Sequence, residues 1–120
     1  MVNRRMTEAE LAWVAGLLEG EGCFFPMEYR TKGYGPYTYA RVAVLMTDLD
    51  VLQRLQKLTG IGHISGPTPR KDPRHKPIWH WVASKNKESI TLMRAVYPLM
   101  GERRRARIDE VLSLVEKGRG

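Results

Sequence analysis

The stretch Val14-Ala15-Gly16-Leu17-Leu18-Glu19-Gly20-Glu21-Gly22 decides how this chain is read. Just upstream, Thr7-Glu8-Ala9-Glu10 has the spacing of a capping box, a hydroxyl followed three residues later by a carboxylate, so a helix is expected to start there. Along that helix Leu11, Val14 and Leu18 fall on one apolar face. Ala12, Gly16 and Gly20 form another face with almost no side-chain volume. Glycine inside a helix costs about 1 kcal/mol relative to alanine, so two of them need a packing reason. Small residues four apart let two helix backbones approach closely. An ordinary core helix with Gly22 as its C-cap explains the spacing equally well. The stretch is too short and too charged to span a membrane.

Glu19 and Glu21 tip the balance. They stand where the helix ends, at the negative pole of its dipole, where carboxylates are disfavoured and cations are welcome. Two acids beside free carbonyl groups make a hard-oxygen environment suited to Mg²⁺. If two copies of the helix packed side by side, both sets of acids would converge near the symmetry axis. A pair of divalent ions there can activate water and stabilise the leaving oxygen of a phosphodiester.

Val14–Gly22 matches, nearly position for position, the signature of the LAGLIDADG homing endonucleases, and the chain resembles a member carrying a single copy. The resemblance implies half an enzyme, completed by a second copy of itself. It implies that Glu21, the acid before the final glycine, is the catalytic metal ligand, helped by the Gly20 carbonyl. Glu19 takes the other acidic position, usually more structural. Ala12, Gly16, Glu19 and Gly20 are the implied dimer interface. Many members have Asp where this chain has Glu. The family often places a polar residue, commonly Gln, at the end of the second strand, where Met46 stands here.

Composition agrees with a nucleic-acid partner. With 120 residues the chain suffices for one compact domain, residues 1–120. Twenty Lys+Arg against thirteen Asp+Glu leave a formal charge of +7, a field that attracts phosphates, as many small basic proteins do. The single Cys23 excludes an intramolecular disulfide, suits a reducing cytoplasm, and reads as a small buried or half-buried residue. No signal peptide, repeat or linker is visible. The three histidines lack metal-ligand spacing, which argues against structural zinc.

The order of elements follows from periodicity and turn chemistry. A strand is expected from Cys23 to about Arg30, with Pro26 weakening its middle or marking a bulge. Lys32-Gly33-Tyr34-Gly35-Pro36 reads as a turn. From Tyr37 to Met46, Ala40, Val42 and Val44 alternate with Tyr37, Tyr39 and Arg41, a half-buried strand. Thr47 or Asp48 caps a helix carrying Leu49, Leu52, Leu55 and Leu58 and ended by Gly60. Strands from Ile61 to Ser65 and from Ile78 to Ala83 flank a basic, proline-rich loop. Helices Asn86–Tyr97 and Glu102–Lys117 follow, separated by Pro98. The expected fold is α+β, αββαββα with a curved four-stranded antiparallel sheet and an extra C-terminal helix, the arrangement of a LAGLIDADG domain.

That fold implies one sheet face in the DNA major groove and the other under the helices. A two-stranded ribbon fits that groove. Tyr29, Tyr37, Tyr39, Arg41, His63, Ser65 and His80 then face DNA, with Arg41 suited to a bidentate guanine contact. A solvated surface arginine is the plain alternative. Trp79 and Trp81 take the opposite face, in the core. Arg70, Lys71 and Arg74, in the loop with His75 and Lys76, are expected on phosphates. Arg103-Arg104-Arg105 open the last helix, where positive charge is disfavoured. In the family a basic residue shortly after this proline reaches the active site; Arg103 matches that position, and Arg104 is the alternative.

The reading that results is a homodimeric, Mg²⁺- or Mn²⁺-dependent double-strand DNA endonuclease of the homing type, acting on a long, nearly palindromic site. It implies no membrane partner and a place in a microbial or phage-infected cytoplasm, or in an organelle. Its gene is expected in a mobile intron or intein, or free-standing. A non-catalytic DNA-binding regulator, an RNA-binding intron maturase, a nickase and a structural helix-pairing module are the competing readings. The motif acids speak against the first and the last.

Overall fold

The computed structural model describes residues 6–118. Helix α1 (Glu8–Glu21) starts on the expected capping box: Thr7 Oγ1 accepts from the Glu10 amide at 3.1 Å, and Glu10 Oε1 accepts from the Thr7 amide at 3.0 Å. It runs directly into strand β1 (Gly22–Thr31), which a tight turn joins to β2 (Tyr34–Met46). Helix α2 (Leu49–Thr59), β3 (His63–Thr68), β4 (Ile78–Ala83), α3 (Asn86–Val96), a 3₁₀ turn (Tyr97–Leu99) and α4 (Glu102–Gly118) follow. The sheet is antiparallel in the order β1-β2-β4-β3, and the elements give the expected αββαββα plus one helix.

Side-chain alternation divides the sheet. Phe24, Ala40, Val42, Val44, Trp81 and Ala83 are buried beneath the helices with Val14, Leu18, Leu52, Leu55, Leu92, Met93, Val96, Ile108 and Val111. Trp81 is fully buried, its indole N–H donating to the Ile61 carbonyl at 3.1 Å, and Trp79 packs against the same core from its margin. Burying a polar N–H this way is tolerable only because it has an acceptor.

Two glycines are steric requirements. A Cβ on Gly22 would lie 2.7 Å from the Leu18 carbonyl oxygen, so the helix-to-strand junction admits no side chain. Gly62, at φ 93°, would press a Cβ to 2.2 Å from the Trp81 indole nitrogen. Its left-handed backbone also starts β3 at His63 rather than at Ile61.

Other boundaries differ from expectation for local reasons. Tyr34, Gly35 and Pro36 join β2, leaving a two-residue turn at Lys32-Gly33 with Gly33 at φ 90°. The register slips between Tyr29 and Thr31, not at Pro26, which pairs in step with Ala40. The Ala40 amide donates across to Asn86 Oδ1 at 2.7 Å, away from β1. Pro26 therefore occupies a position whose missing N–H would have faced the free edge of the sheet, where proline costs little. Asp48 stands at the N-cap of α2 but makes no side-chain capping bond, and Gly60 ends the helix at φ 70°. Among the described residues no helix is long and apolar enough to cross a membrane.

Candidate nuclease centre and nucleic-acid surface

The carboxyl end of α1 is held from outside by α4. Glu19 Oε1 accepts from the Gly101 amide at 2.7 Å, at the start of α4, which uses that helix's positive pole. Arg104 Nε donates to the main-chain carbonyl of Glu19 at 2.9 Å, and its guanidinium lies 5.9 Å from the centre of the Phe24 ring. One turn on, Arg107 Nε donates to the Phe24 carbonyl at 2.9 Å, and its other end pairs with Glu110. The arginines that burden the N-terminus of α4 thus serve the opposite pole of α1 and the start of β1. Arg103 is exposed and makes no hydrogen bond or ion pair among the described residues; Arg104, the alternative, is the one placed beside Glu19.

Glu21 differs from Glu19. It is exposed, and no hydrogen bond or ion pair ties it down among the described residues. Leu18 offers its carbonyl to the Gly22 amide and Glu19 offers its own to Arg104, so Gly20 provides the next carbonyl beside the Glu21 carboxylate. Within the described residues of one chain, no three His, Cys, Asp or Glu side chains gather as a metal site. Glu21 with the Gly20 carbonyl offers hard oxygen donors of the kind a divalent cation takes, but fewer than such an ion's full set.

The small-residue face of α1 is open. Ala12, Gly16 and Gly20 are exposed, and an added Cβ at either glycine would meet nothing within 4 Å. Beside this stripe Ala12, Trp13, Gly16, Leu17, Met46 and Val51 line a shallow apolar hollow, with the Arg54 guanidinium 4.2 Å above the Trp13 ring. Glu19, expected on the same surface, is instead half-buried and turned towards Gly101. Met46 packs on the helix side of the sheet, as its parity with Val42 and Val44 requires, and Leu45 is the last β2 side chain on the open side.

On that open face the register aligns the sequence candidates in rows. Tyr29 pairs with Tyr37, Met27 with Tyr39, Phe25 with Arg41, Cys23 with Ala43, and Leu45 with His80, which pairs in turn with Ser65. The Tyr29 and Tyr37 rings stand 5.3 Å apart and the Tyr37 and Tyr39 rings 6.2 Å apart. Arg41 Nε is buried without a partner among the described residues, a donor that a ligand on this face would satisfy. His80 Nε2 lies 3.0 Å from Thr68 Oγ1. His63 and Ser65 are exposed, and so is Cys23, contrary to the expected burial.

Two features escaped the sequence reading. Lys85 and Lys87 join Tyr29, Tyr37 and Tyr39 around one open hollow, extending the basic surface at the start of α3. No periodic signal marks them, since Lys85 is the N-cap of α3 and Lys87 lies in its first turn. In the basic loop Arg70 and Lys71 are exposed, but Arg74 is bound by Asp72, with Nη2 to Oδ2 at 2.8 Å and Nε to Oδ1 at 3.1 Å. Arg74 holds the Asp72 carboxyl below the usual carboxylate range, so part of the loop's positive charge is spent internally.

The fold has known counterparts. The structure is similar to that of the homing endonuclease I-CvuI in complex with its target, with a TM-score of 0.71 and 19% identity over 93% of this chain and 69% of that one. It is similar to the archaeal intron-encoded homing endonuclease I-Vdi141I complexed with DNA, at 0.63 and 14% identity over 92% and 82%. The LAGLIDADG meganuclease I-AabMI bound to uncleaved DNA gives 0.65 and 14% identity over 86% of this chain and 34% of that one. No family model matches the chain, and no curated protein matches it in sequence. The chain has the fold of the LAGLIDADG homing endonucleases.

Proposed function

We propose that this protein is a divalent-metal-dependent, site-specific double-strand DNA endonuclease of the homing type, active as a homodimer of residues 1–120. One observation carries the reading: the Glu21 carboxylate, without a partner among the described residues, ends a helix along which Ala12, Gly16 and Gly20 form an exposed stripe of minimal side-chain volume. A carboxylate at a helix C-terminus is electrostatically misplaced until a cation sits beside it. A stripe without side chains is the surface a second copy of the helix can approach closely, and isologous pairing brings two Glu21 carboxylates to the axis. A self-paired protein with two equal sheets suits a nearly palindromic duplex.

Each residue then has a task. Glu21 from each copy, with the Gly20 carbonyl, holds Mg²⁺ or Mn²⁺. When bound, such an ion lowers the pKa of water and neutralises charge on the phosphodiester. Glu19 fixes the start of α4, and Arg104 neutralises the carboxyl end of α1 while keeping positive charge near the scissile phosphate. Arg41 and the tyrosine rows contact the major groove, and Arg70, Lys71, Lys85 and Lys87 track phosphates. Arg103, exposed and without a partner among the described residues, reaches towards the DNA.

The test is direct. The protein is incubated with duplexes covering its own flanking genomic sequence, with Mg²⁺, with Ca²⁺ and with chelator. Discrete double-strand cuts at one site with Mg²⁺ only support the reading. Tight specific binding without cutting under every metal would make it a DNA-binding regulator, and selective binding of structured RNA would make it a maturase.

A further inference from the structure

The open sheet face is not uniformly polar. From Arg41 towards α1 its β1 and β2 side chains are Phe25, Cys23, Ala43 and Leu45, and none is a strong hydrogen-bond donor or acceptor. Phe25 and Leu45 are 36% and 45% exposed, although the helices cover only the other face. Val44 pairs with Gly22, the first residue of β1, so Leu45 lies one residue beyond that last pair, at the end of the sheet next to the carboxyl end of α1 and the proposed cleavage centre. Away from α1 the same face turns phenolic and basic, with Tyr39, Tyr37 and Tyr29 backed by Lys85 and Lys87.

An apolar patch inside a positively charged surface asks for a partner that is anionic outside and apolar at one point. The major groove of duplex DNA meets both conditions, since its only apolar group at a base edge is the thymine C5-methyl. We propose, resting on the DNA-binding reading above, that Leu45 and Phe25 are specificity determinants that read thymine methyl groups at the innermost contacted base pairs of each half-site. Same-face residues along a strand are about 6.7 Å apart, roughly two base-pair rises of 3.4 Å. Leu45, Ala43 and Arg41 therefore step outward by about two base pairs each. The half-site should carry thymine opposite Leu45 and guanine opposite Arg41, about four base pairs further from the dyad.

The experiment enriches duplexes from a random library on the intact protein in Ca²⁺, then replaces each thymine of the winning site by deoxyuridine, which removes only the methyl group. Binding of these duplexes is measured for wild type, Leu45→Ala and Phe25→Ala, with circular dichroism confirming the fold. Deoxyuridine at the inner positions should weaken wild-type binding about fourfold each, the worth of one buried methyl. Leu45→Ala should make thymine and deoxyuridine equivalent at the innermost position. Equal binding of both duplexes by wild type, inner positions fixed as G·C, or a penalty undiminished in both variants overturns the inference while leaving DNA recognition intact. Failure to enrich any duplex overturns the DNA reading itself.

Discussion

Arg104 Nε reaches the main-chain carbonyl of Glu19 at 2.9 Å, so a residue from the first turn of α4 neutralises the last turn of α1, 85 positions earlier in the chain. The same two helices are joined by the Glu19 carboxylate on the Gly101 amide. The two bonds exchange complementary ends: a cation meets the negative pole of α1, and a carboxylate meets the positive pole of α4. Glu21 is positioned by this clamp without being consumed by it.

Arg104→Ala should lower stability by about 1–2 kcal/mol, the worth of a partly buried cation at a helix C-terminus. Cleavage should slow as well, because α1 loses its outer support. Arg103→Ala, at an exposed position without a hydrogen bond or ion pair among the described residues, should leave stability within about 0.5 kcal/mol of wild type. Denaturant melts and single-turnover cleavage of the two variants separate the roles. If Arg103→Ala alone destabilises the protein, the assignment of the clamp to Arg104 is wrong.

Tyr97 gives a pH signature unrelated to nuclease chemistry. Its hydroxyl donates to Asp109 Oδ2 at 2.9 Å, and that hydrogen bond first, then burial and the Asp109 charge, raise its pKa above the ordinary tyrosine value. A proton held more tightly in the folded state stabilises it fully below the unfolded pKa, and that stability is lost as pH rises through the folded value. The stability gap between wild type and Tyr97→Phe should therefore shrink on the alkaline side. Melts from neutral to strongly alkaline pH check this; a constant gap would mean that the bond does not form in solution.

Periodicity explains what could be read in advance. The capping box, the strand alternation through Ala40, Val42 and Val44, and the glycine stop at Gly60 are local signals, and each reappears in place. Met46 belongs to the same alternation: the parity that buries Val44 also turns Met46 inward, against the core. That Arg104 rather than Arg103 meets α1 was not legible, because neighbouring helical residues point about 100° apart and only the tertiary packing of α4 decides it. Nor were Lys85 and Lys87, which approach the tyrosines only after β4 pairs with β2.

Gly16→Leu separates folding from assembly. Nothing lies within 4 Å of a Cβ there, so the monomer accepts the side chain and gains about 0.5–1 kcal/mol from replacing a mid-helix glycine. Across a close helix pair the same leucine clashes in both copies, at about 1–3 kcal/mol each. The variant should thus sediment as a folded monomer with wild-type helix content, with cleavage lost and with a melting temperature that no longer depends on protein concentration. A wild type that remains monomeric at micromolar concentration, free and on DNA, would refute the assembly.

Arg41→Ala probes the sheet face. It should cost about 1–3 kcal/mol per half-site on the preferred duplex and relax discrimination at one symmetric base pair. Arg70→Ala with Lys71→Ala should weaken all duplexes alike and reduce the salt slope by roughly one to two per half-site. Titrations of cognate and scrambled duplexes at several salt concentrations distinguish the two behaviours. Equal losses on both duplexes would reduce Arg41 to a phosphate contact.

Glu21→Gln tests the chemistry itself. The substitution keeps the size of the side chain and removes only its charge. Because Glu21 is exposed and makes no hydrogen bond or ion pair among the described residues, the fold should be unaffected. With the ligand charge gone from both copies, cleavage should fall by at least about a hundredfold, the usual cost of removing one electrostatic element from such a site. DNA binding should persist or tighten, since two carboxylates no longer repel the phosphates. Glu19→Gln should act in the other direction: its carboxylate is bound to Gly101, so stability falls more than the chemical step. Both variants and wild type are compared on one cognate duplex at several Mg²⁺ concentrations, reading binding and cutting separately. Wild-type cleavage by Glu21→Gln would mean that the end of α1 is not the nuclease centre.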